Sequence, residues 1–565
     1  MNTRERKDML RFWPQITVSL MVMALLLMIM PMSVWAAETS GTLGDNDGIQ
    51  WSYDAGTRTL TITGEDSGLQ GTIREGTSVS TSQFIQQGID RSSISKVVLR
   101  DCTIKGDASF MFSGLYNAEG FEFHNVDFSQ VTDATEMFSS CGISELDLSG
   151  LDFSSATTMQ KMFFGCNKLE SINLSGLKIP KVTDMSGLFY SCFKLKDVDL
   201  TNLDTSNVED MSSMFFWCDE LESIDLSDLD TSSVTDMGGM FYMGKKLKSI
   251  DMRGLDTSQV TDMSFMFFMS QSLESVDMSG LDTSNVEDMT RIFFASPKLK
   301  TVNLSGIDMS SVAKHFEMLA ECKALETIYT PKKLAEDMKI GLSDLFVDSE
   351  NNRTGYVTDK FCDTVLTKAP NPFSDVNADG WQYSSVIYVY SRGLMTGKGN
   401  DETGNVVFDP NKAIPREEFV QVLYNASGKP PVSIENEFPD VKDTWYKTAV
   451  LWAKENDIAN GKGDGSFGVT ESIRRQDLAL MLYKYALLNG YELTGNEGEI
   501  NKYADGDKVD KYAQAAMDWA ITYGIMSGKG NKGEDISTFR LDPTGTATRA
   551  ECAAMLKNYM TVFGN

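Results

Sequence analysis

A sixteen-residue phrase returns along this chain at nearly constant spacing, and this repetition restricts the fold more than any other feature of the sequence. It is written "LDTSNVEDMSSMFFWC" from Leu203, "LDTSSVTDMGGMFYMG" from Leu229, "LDTSQVTDMSFMFFMS" from Leu255 and "LDTSNVEDMTRIFFAS" from Leu281. The aromatic residue that closes the "MF", "LF" or "IF" pair is called the marker below. The markers are 26 residues apart, with one interval of 25, at Phe112, Phe138, Phe163, Phe189, Phe215, Phe241, Phe267 and Phe293, and Leu319 takes the position in the last unit. A fixed period of this length predicts a solenoid of stacked units, each contacting only its neighbours.

Each unit has two halves with different periodicity. In "LESIDLSDLD", which begins at Leu221, apolar residues alternate with Ser223 and Asp225, and this predicts a short strand with one buried face. In "SSVTDMGGMF", which ends at Phe241, apolar residues recur three and four positions apart, and this predicts a short helical turn. One strand and one helical turn per 26-residue unit is leucine-rich-repeat architecture. With strands stacked about 4.8 Å apart, nine units would form a ladder roughly 40 Å long.

From the second marker onward, the position three residues after the marker is small. It is occupied by Cys141, Cys166, Cys192, Cys218, Gly244, Ser270, Ser296 and Cys322. Because cysteine exchanges with serine and glycine there, we expect a tight buried slot with reduced cysteines, and not a metal or redox centre. The recurring methionines Met185, Met211, Met237, Met263 and Met289 are likewise interpreted as adaptable core residues and not as a copper site. No metal or cofactor is expected.

The outward position of the predicted strands is acidic. It holds Asp147, Asn173, Asp199, Asp225, Asp251, Asp277 and Asn303. Carboxylates about 5 Å apart repel each other by roughly 0.8 kcal/mol in water, which an exposed ladder tolerates and a buried one does not. Two interpretations remain open for this solvent-facing strip. Asp199, Asp225, Asp251 and Asp277 form a candidate ligand face for a basic partner or Ca²⁺, or the strip is a solvated surface that discourages aggregation.

The phrases typified by "LDTSNVTDMSxMFxxC" and "LxxIDLSGLD" resemble the BspA-like leucine-rich-repeat family of bacterial surface proteins. The resemblance runs from about Phe110 to Leu325, and "WSYDAGTRTLTITG" from Trp51 resembles the β-rich segment that often precedes such repeats. It implies a β-rich N-terminal cap over 41–105, repeats over 106–330, and a cap and linker over 331–370. It also implies extracellular binding or adhesion, with no catalytic residue and an unidentified protein or glycan ligand.

A second repeat of a different kind occupies the C-terminal third. Its units open with "FSDV" at Phe373, "FPDV" at Phe438 and "YADG" at Tyr503, pass through "GKGN", "GKGDG" and "GKGN", and close with "IPREEF", "IRRQDL" and "ATRAEC". This pattern resembles three S-layer homology (SLH) modules, at 371–430, 436–490 and 501–562. The resemblance implies an all-α bundle with pseudo-threefold symmetry. The expected fold class is therefore multidomain α+β, a leucine-rich-repeat solenoid followed by this bundle.

The SLH resemblance also implies binding to a secondary cell-wall polysaccharide that often ends in pyruvylated amino sugars. The residues that match its motif are an aspartate, an aromatic residue and an arginine in each unit: Asp375, Trp381, Arg416, Asp440, Trp445, Arg475, Asp505, Tyr512 and Arg549. An arginine at a helix start offers a planar set of donors to a ketal carboxylate, an aromatic ring can stack on the sugar, and an aspartate can accept its hydroxyls.

Departures from the SLH motif point to unequal units. Pro415 replaces the usual threonine in the first unit, Arg474–Asp477 replaces "TRAE" in the second, and Tyr503, Gly506 and Tyr512 replace the usual residues in the third. The second and third units are therefore expected to bind less well, with Arg416 the strongest contact. The alternative is that each arginine only pairs with an acid inside its own module.

The N-terminus and the composition set the remaining limits. Residues 1–36 combine basic residues, an apolar run from Ile16 to Met30 and "VWA" before a cut after Ala36, which predicts a cleaved secretory signal peptide. A membrane anchor is the alternative, although the run is shorter than the roughly 20 residues of a spanning helix. No membrane span is expected in the mature protein. The net charge of −29 disfavours nucleic acid and anionic lipid as partners.

Catalytic and metal motifs are scarce. His124 and His315 are the only histidines, which excludes a histidine-based triad or a multi-histidine zinc site. "DVNADG" at Asp375 starts like an EF-hand loop, but Val386 stands where the twelfth-position glutamate is needed. The sequence thus predicts a non-enzymatic, secreted surface protein of a Gram-positive-type cell wall, with an adhesive or ligand-binding solenoid. A structural S-layer component and an envelope glycosidase remain as alternatives.

Overall fold

A computed structural model describes residues 40–43, 49–64, 71–73, 90–491, 493–530 and 534–563. The chain divides into two compact units at Ala369 and Pro370, and each unit is described by itself. The predicted signal peptide over 1–36 lies outside the described residues. Across the described ranges, no helix has the length and apolar character required to cross a membrane.

The regular elements are short strands before Pro370 and mainly helices after it. The strands are β1 (Ser40–Leu43), β2 (Ile49–Asp54), β3 (Thr59–Gly64), β4 (Gly71–Ile73), β5 (Lys96–Asp107), β6 (Gly120–Asp133), β7 (Glu145–Asp147), β8 (Ser171–Asn173), β9 (Asp197–Asp199), β10 (Ser249–Asp251), β11 (Ser275–Asp277), β12 (Thr301–Asn303), β13 (Asp308–Met309), β14 (Thr327–Tyr329), β15 (Lys333–Leu334), β16 (Ile340–Val347), β17 (Arg353–Val357), β18 (Val365–Lys368), β19 (Gly399–Asn400) and β20 (Val406–Val407). The α-helices are α1 (Tyr383–Ser391), α2 (Arg416–Ala426), α3 (Lys447–Glu455), α4 (Arg475–Leu488), α5 (Gln514–Thr522) and α6 (Arg549–Phe563).

Sheets cover both ends of the repeat core. At the N-terminal end the strand order is β1-β2-β3-β5-β4, with β6 also paired to β5, and Trp51, Ile62 and Leu99 are buried. At the C-terminal end β14 pairs with β18, which continues antiparallel into β16 and β17 and buries Phe346 and Leu366. The apolar residues of the first and last units are thereby shielded from water, as an open-ended solenoid requires.

The strand side of the solenoid is a parallel ladder interrupted at two places, between β6 and β7 and between β9 and β10. Leu146 pairs with Ile172, and Ile172 with Val198, so β7, β8 and β9 are each offset by one unit. The ladder resumes with β10, β11, β12 and β14. Between the two parts, residues 221–226 form no strand, and the sheets on either side are separate.

The second half of each unit consists of tight turns, so the prediction of a helical turn is wrong. The backbone of Gly187 and that of Ser191, two residues on either side of the marker Phe189, both have φ of 62°. Their N–H groups donate to the next unit, at 2.8 Å to Ser212 O and 2.7 Å to Phe216 O, and not to a carbonyl four residues back. The apolar spacing of three and four arises because these turns direct the methionines, the marker and the small residue inward.

The core is built from columns of equivalent residues. Consecutive marker rings stack along the solenoid, for example with centroids 5.5 Å apart for Phe189–Phe215 and for Phe215–Phe241. The small position has a hydrogen-bonding role besides its size, because its side chain donates to the marker carbonyl of the preceding unit. Cys192 Sγ lies 3.1 Å from Phe163 O, and Ser296 Oγ lies 2.9 Å from Phe267 O. A small donor is therefore favoured, which explains the exchange between cysteine and serine.

The cysteines behave as the packing interpretation expects. All eight are unpaired, and every one in the small position is buried. Burial raises the pKa of the Cys166 thiol to about 12, so the thiol stays protonated and unreactive at neutral pH. No metal or redox role is needed to explain the column.

In the second compact unit, a triangle of backbone hydrogen bonds joins the three modules to one another. Ile414 N donates to Ala547 O at 3.0 Å, Ala547 N to Ile473 O at 3.0 Å, and Ile473 N to Ile414 O at 2.9 Å. Helix α1 packs against α6, α2 against α3, and α4 against α5, so each module pairs with its neighbour. The unit also contains the β19–β20 pair, so the prediction of an all-α bundle is not confirmed.

Gly244 offers a test of the donor column, because it is the one position without a side chain. An added Cβ would meet its nearest atoms, Phe241 O and Leu247 Cβ, at 3.6 and 3.7 Å, which are ordinary contacts. We expect Gly244→Ser to stabilise the local structure by about 0.5–1.5 kcal/mol more than Gly244→Ala, because only serine can donate to Phe215 O. Hydrogen exchange of the surrounding turn amides measures the difference. Equal protection in the two variants would contradict the donor role.

Candidate functional site

The three motif aspartates hold a loop of their own module through backbone amides. Asp375 accepts from Phe408 N at 2.8 Å and Asp409 N at 2.7 Å. Both carboxylate oxygens are used in this way, and the contact closes the loop at residues 408–410 of the first module. Asp375 remains exposed on one side, since the loop covers only part of its carboxylate.

The equivalent aspartates are progressively more enclosed. Asp440 is half-buried and accepts from three amides, those of Phe467, Gly468 and Val469, at 2.8–2.9 Å. Burial alone would raise the pKa of Asp440, but the three N–H donors outweigh it and lower the pKa. Asp505 is only 2% exposed and accepts from the amides of Leu541 and Asp542, in the equivalent loop of the third module. These side chains shape the loops, a role that sequence reasoning missed.

Each motif arginine reaches into the loop of the following module. Arg416 Nε donates to Phe467 O at 3.2 Å, Arg475 Nε to Leu541 O at 2.8 Å, and Arg549 Nε to Phe408 O at 2.7 Å. The arrangement is cyclic, because the third module returns to the first. Arg416 is thus brought together with Asp440 of the second module, and not with Asp375 of its own.

Two of the three guanidinium groups are saturated by protein partners. Arg549 is 1% exposed, forms an ion pair with Glu418 and donates to Thr396 O at 2.7 Å. Arg475 is 4% exposed, lies 3.2 Å from Glu551 and donates to Ser527 O at 3.1 Å. Both acids come from the neighbouring module. The alternative of arginine–acid pairing therefore describes Arg475 and Arg549, with the acid supplied from outside the arginine's own module.

Arg416 differs from the other two. It is half-buried, its guanidinium lies 5.3 Å from the Phe467 ring centroid, and no carboxylate of the described residues lies within ion-pair distance of it. The equivalent acid, Asp477, has one methylene fewer than glutamate and is held by Arg474 at 2.9 Å. The Nη groups of Arg416 consequently retain donors that no side chain of the described bundle uses.

The motif aromatic residues are among the most exposed in the protein. Trp381 is 67% exposed, Trp445 61% and Tyr512 52%. The Tyr512 hydroxyl is tied to the start of α4, where it accepts from Arg474 Nη2 at 2.7 Å and donates to Asp477. Trp445 occupies the corresponding place before α3, the helix that packs against α2.

The aspartates of the candidate ligand face also have a structural role. Asp199, Asp225 and Asp251 are exposed and Asp277 is half-buried. Each Oδ1 accepts from the amide two residues later, at 2.9–3.1 Å, and so forms an Asx turn, which follows a strand at Asp199, Asp251 and Asp277. Asn173 and Asn303 accept in the same way, which explains why asparagine replaces aspartate at this position.

Charge on this face is partly compensated. Arg253 makes two hydrogen bonds to Asp251, at 2.9 and 2.7 Å, and lowers the pKa of that carboxyl to about 2. Asn303 Nδ2 donates to Asp277 at 2.9 Å. The face is an exposed acidic strip interrupted by partners from the chain itself.

The family comparisons divide the chain in the same order as its repeats. Residues 106–223 and 210–331 match the family described as "Mycoplasma protein of unknown function, DUF285". Residues 372–420, 437–479 and 502–553 each match the S-layer homology domain.

Curated relatives share only part of their length with this chain. An endoglucanase of Bacillus sp. (strain KSM-635) is 29% identical over 161 residues, covering 28% of this chain and 16% of that protein. The "Surface-layer 125 kDa protein" of Lysinibacillus sphaericus is 28% identical over 190 residues, covering 33% of this chain and 14% of that protein. The chain thus spans less than a fifth of either relative. The endoglucanase shares only the S-layer homology region with it.

Among solved structures, a leucine-rich repeat protein from Eubacterium ventriosum is 17% identical and covers 52% of this chain and 85% of that chain, with a TM-score of 0.28. Over the residues that the family comparisons match, the chain consists of a BspA-like DUF285 repeat region followed by three S-layer homology domains.

Proposed function

We propose that this protein is held on the wall of a Gram-positive-type bacterium by its C-terminal bundle, which binds a secondary cell-wall polysaccharide, while the solenoid presents a binding or adhesive face. The observation that carries the proposal is the broken symmetry of the arginines. Arg475 and Arg549 serve the fold, whereas Arg416 keeps unused donors at a half-exposed position. A pocket that retains donors is suited to an anionic ligand.

The chemistry around Arg416 fits a sugar that carries a carboxylate, such as a pyruvate ketal. Its guanidinium supplies a planar pair of donors for bidentate binding. Lys462 lies beside the same residue, Gly468, as Arg416 does, and is paired with Glu471 at 2.6 Å. The exposed indole of Trp445, from the adjacent module, supplies a face on which a sugar ring can stack. The proposed primary site therefore combines Arg416 of the first module with Trp445 and the Asp440-held loop of the second.

Substitution of the motif arginines should distinguish those that stabilise the bundle from the one that binds the ligand. We expect Arg549→Ala to destabilise the bundle by about 3–5 kcal/mol, because the carbonyls of Phe408 and Thr396 lose their buried donor and the buried Glu418 keeps only Lys398 as a cation. Arg416→Ala should cost less than about 1 kcal/mol, because it removes no ion pair. Hydrogen exchange of α1, α2 and α6 in the full-length chain measures both effects. Equal losses in the two single variants would contradict the division of roles.

Wall binding tests the proposed site directly. We expect Arg416→Ala to weaken binding of the full-length chain to purified cell walls about tenfold or more, through loss of a charge-assisted contact of roughly 1.5–3 kcal/mol. Arg416→Lys should recover only part, since lysine lacks the planar fork. Arg253→Ala removes the same charge from the solenoid and should leave binding unchanged. Extraction of the non-peptidoglycan polymer should abolish binding of the unaltered protein, and persistent binding to bare peptidoglycan would refute the polysaccharide as ligand.

A further inference from the structure

The turn side of the solenoid carries a continuous row of stacked rings, half-buried except for the buried Phe268, which we call the aromatic stripe. It consists of the residues that follow the markers: Phe164, Tyr190, Phe216, Tyr242, Phe268 and Phe294. Successive ring centroids are 5.4, 4.2, 4.1, 4.7 and 5.3 Å apart. Trp217, Met243 and Met269, each one residue further on, are half-buried beside the row and widen it. Such an extended apolar surface is typical of an interaction site.

The geometry of the rings restricts what can bind to them. Tyr190 and Phe216 lie at 6° to each other, Phe216 and Tyr242 at 7°, and Tyr242 and Phe268 at 14°. Because the rings are nearly parallel, each covers the faces of its neighbours, and ring edges face solvent. Stacking on a sugar or a cation requires a free ring face. The stripe instead offers apolar edges, which pack well against aliphatic side chains.

A second acidic ladder, which sequence reasoning missed, runs along the same side. It consists of the aspartates five residues before the markers: Asp184, Asp210, Asp236, Asp262 and Asp288, all half-buried and paired in register. The carboxylates at its two ends have side-chain partners. Lys314 forms an ion pair with Asp288 at 3.1 Å, and the Gln160 amide donates to Asp184 at 3.2 Å. Among the described residues, no lysine or arginine lies within ion-pair distance of the three central carboxylates. Burial, together with its two neighbouring carboxylates, raises the pKa of Asp236 to about 6.

In the unit of Asp236, Gly238 and Gly239 separate the ladder from the stripe, whereas in the unit of Asp262 the second of these positions is Phe265, whose ring joins the stripe at Phe268. A Cβ on Gly238 would lie 3.1 Å from Asp236 Oδ1 and 3.3 Å from Asp262 Oδ1. A Cβ on the next residue, Gly239, would lie 3.8 Å from Phe216 Cδ2 and 4.0 Å from Tyr242 Cβ. Adjacent residues thus touch the acids on one side and the rings on the other. The centre of the turn side is therefore a shallow channel with carboxylates along one edge and apolar ring edges along the other.

We propose that this channel binds a basic polypeptide segment that also carries aliphatic side chains, with its lysines or arginines at Asp210, Asp236 and Asp262 and its apolar residues on the aromatic stripe. The proposal rests on the adhesive solenoid of the proposed function and assigns its face and its class of partner. Charge complementarity selects the occupant, because a cation relieves the repulsion within the central ladder. A second copy of this chain would instead set one acidic ladder against another, and a glycan would find the ring faces occupied.

The test uses the full-length protein and three synthetic sixteen-residue peptides, of alternating lysine and leucine, lysine and serine, and glutamate and leucine. Binding is followed through the fluorescence of the protein's tryptophans. We expect the lysine–leucine peptide to bind at least tenfold more tightly than either other peptide. The triple variant Asp210→Asn, Asp236→Asn and Asp262→Asn should lose at least tenfold in affinity for it. Asparagine keeps the Asx turn, as Asn173 and Asn303 do on the strand side.

The matched control changes the same number of charges on the opposite side, with Asp225→Asn, Asp251→Asn and Asp277→Asn, and should alter the affinity less than twofold. Equal losses in both triple variants would show that only net charge matters and would overturn the proposal. It is also overturned if the lysine–serine peptide binds as well as lysine–leucine, if chitohexaose displaces the peptide, or if the protein forms a dimer that the turn-side variant abolishes. Wall binding by the turn-side variant should stay unchanged, so failure of this face is distinguishable from failure of the wall anchor.

Discussion

The solenoid depends on backbone N–H groups that donate to the next unit and not to their own. In each turn half, alternate amides bond one unit ahead, as Gly187, Phe189 and Ser191 do to Ser212, Met214 and Phe216. Since these bonds fix the register at one unit, equivalent side chains are forced into columns. The marker rings, the buried thiols and the acidic ladders all follow from that single constraint. The residue type at each position is therefore determined as much by its neighbours in the same column as by its own unit.

The C-terminal bundle uses the same principle in a closed form. Each module completes a neighbour, because an arginine from one module donates to the loop that an aspartate of the next module holds. The backbone triangle formed by Ile414, Ile473 and Ala547 links the three modules at their common axis. A departure from the motif in one module therefore changes a contact at its boundary with another module. The short Asp477 side chain in the second module is what leaves Arg416, in the first, without an acid.

Much of this organisation could be predicted from the sequence, because period and residue size are local properties. The 26-residue unit, the buried markers and the small cysteine position needed only the spacing of residue types, and the three S-layer homology modules were evident from repeated motifs. The helical turn was predicted wrongly, since the spacing of Val234, Met237 and Phe241 fits a helix as well as it fits successive turns. The exchange of arginines between modules could not be predicted, because nothing in a repeat's sequence tells whether its side chains stay within it. The turn-side ladder was overlooked because Asp236 and its equivalents lie in a half that was taken to be helical.

The interruption of the strand ladder at residues 221–226 has a mechanical consequence. On the turn side the bridges run without a break from Asp133 to Lys314, whereas on the strand side two separate sheets meet at this unit without pairing. Bending that spreads the strand side meets no strand pairing here or between β6 and β7, although Lys248 N still donates to Glu222 O at 3.4 Å. The solenoid would therefore bend most easily at these two levels, in one direction, while the continuous turn side acts as the hinge line and keeps the columns in register.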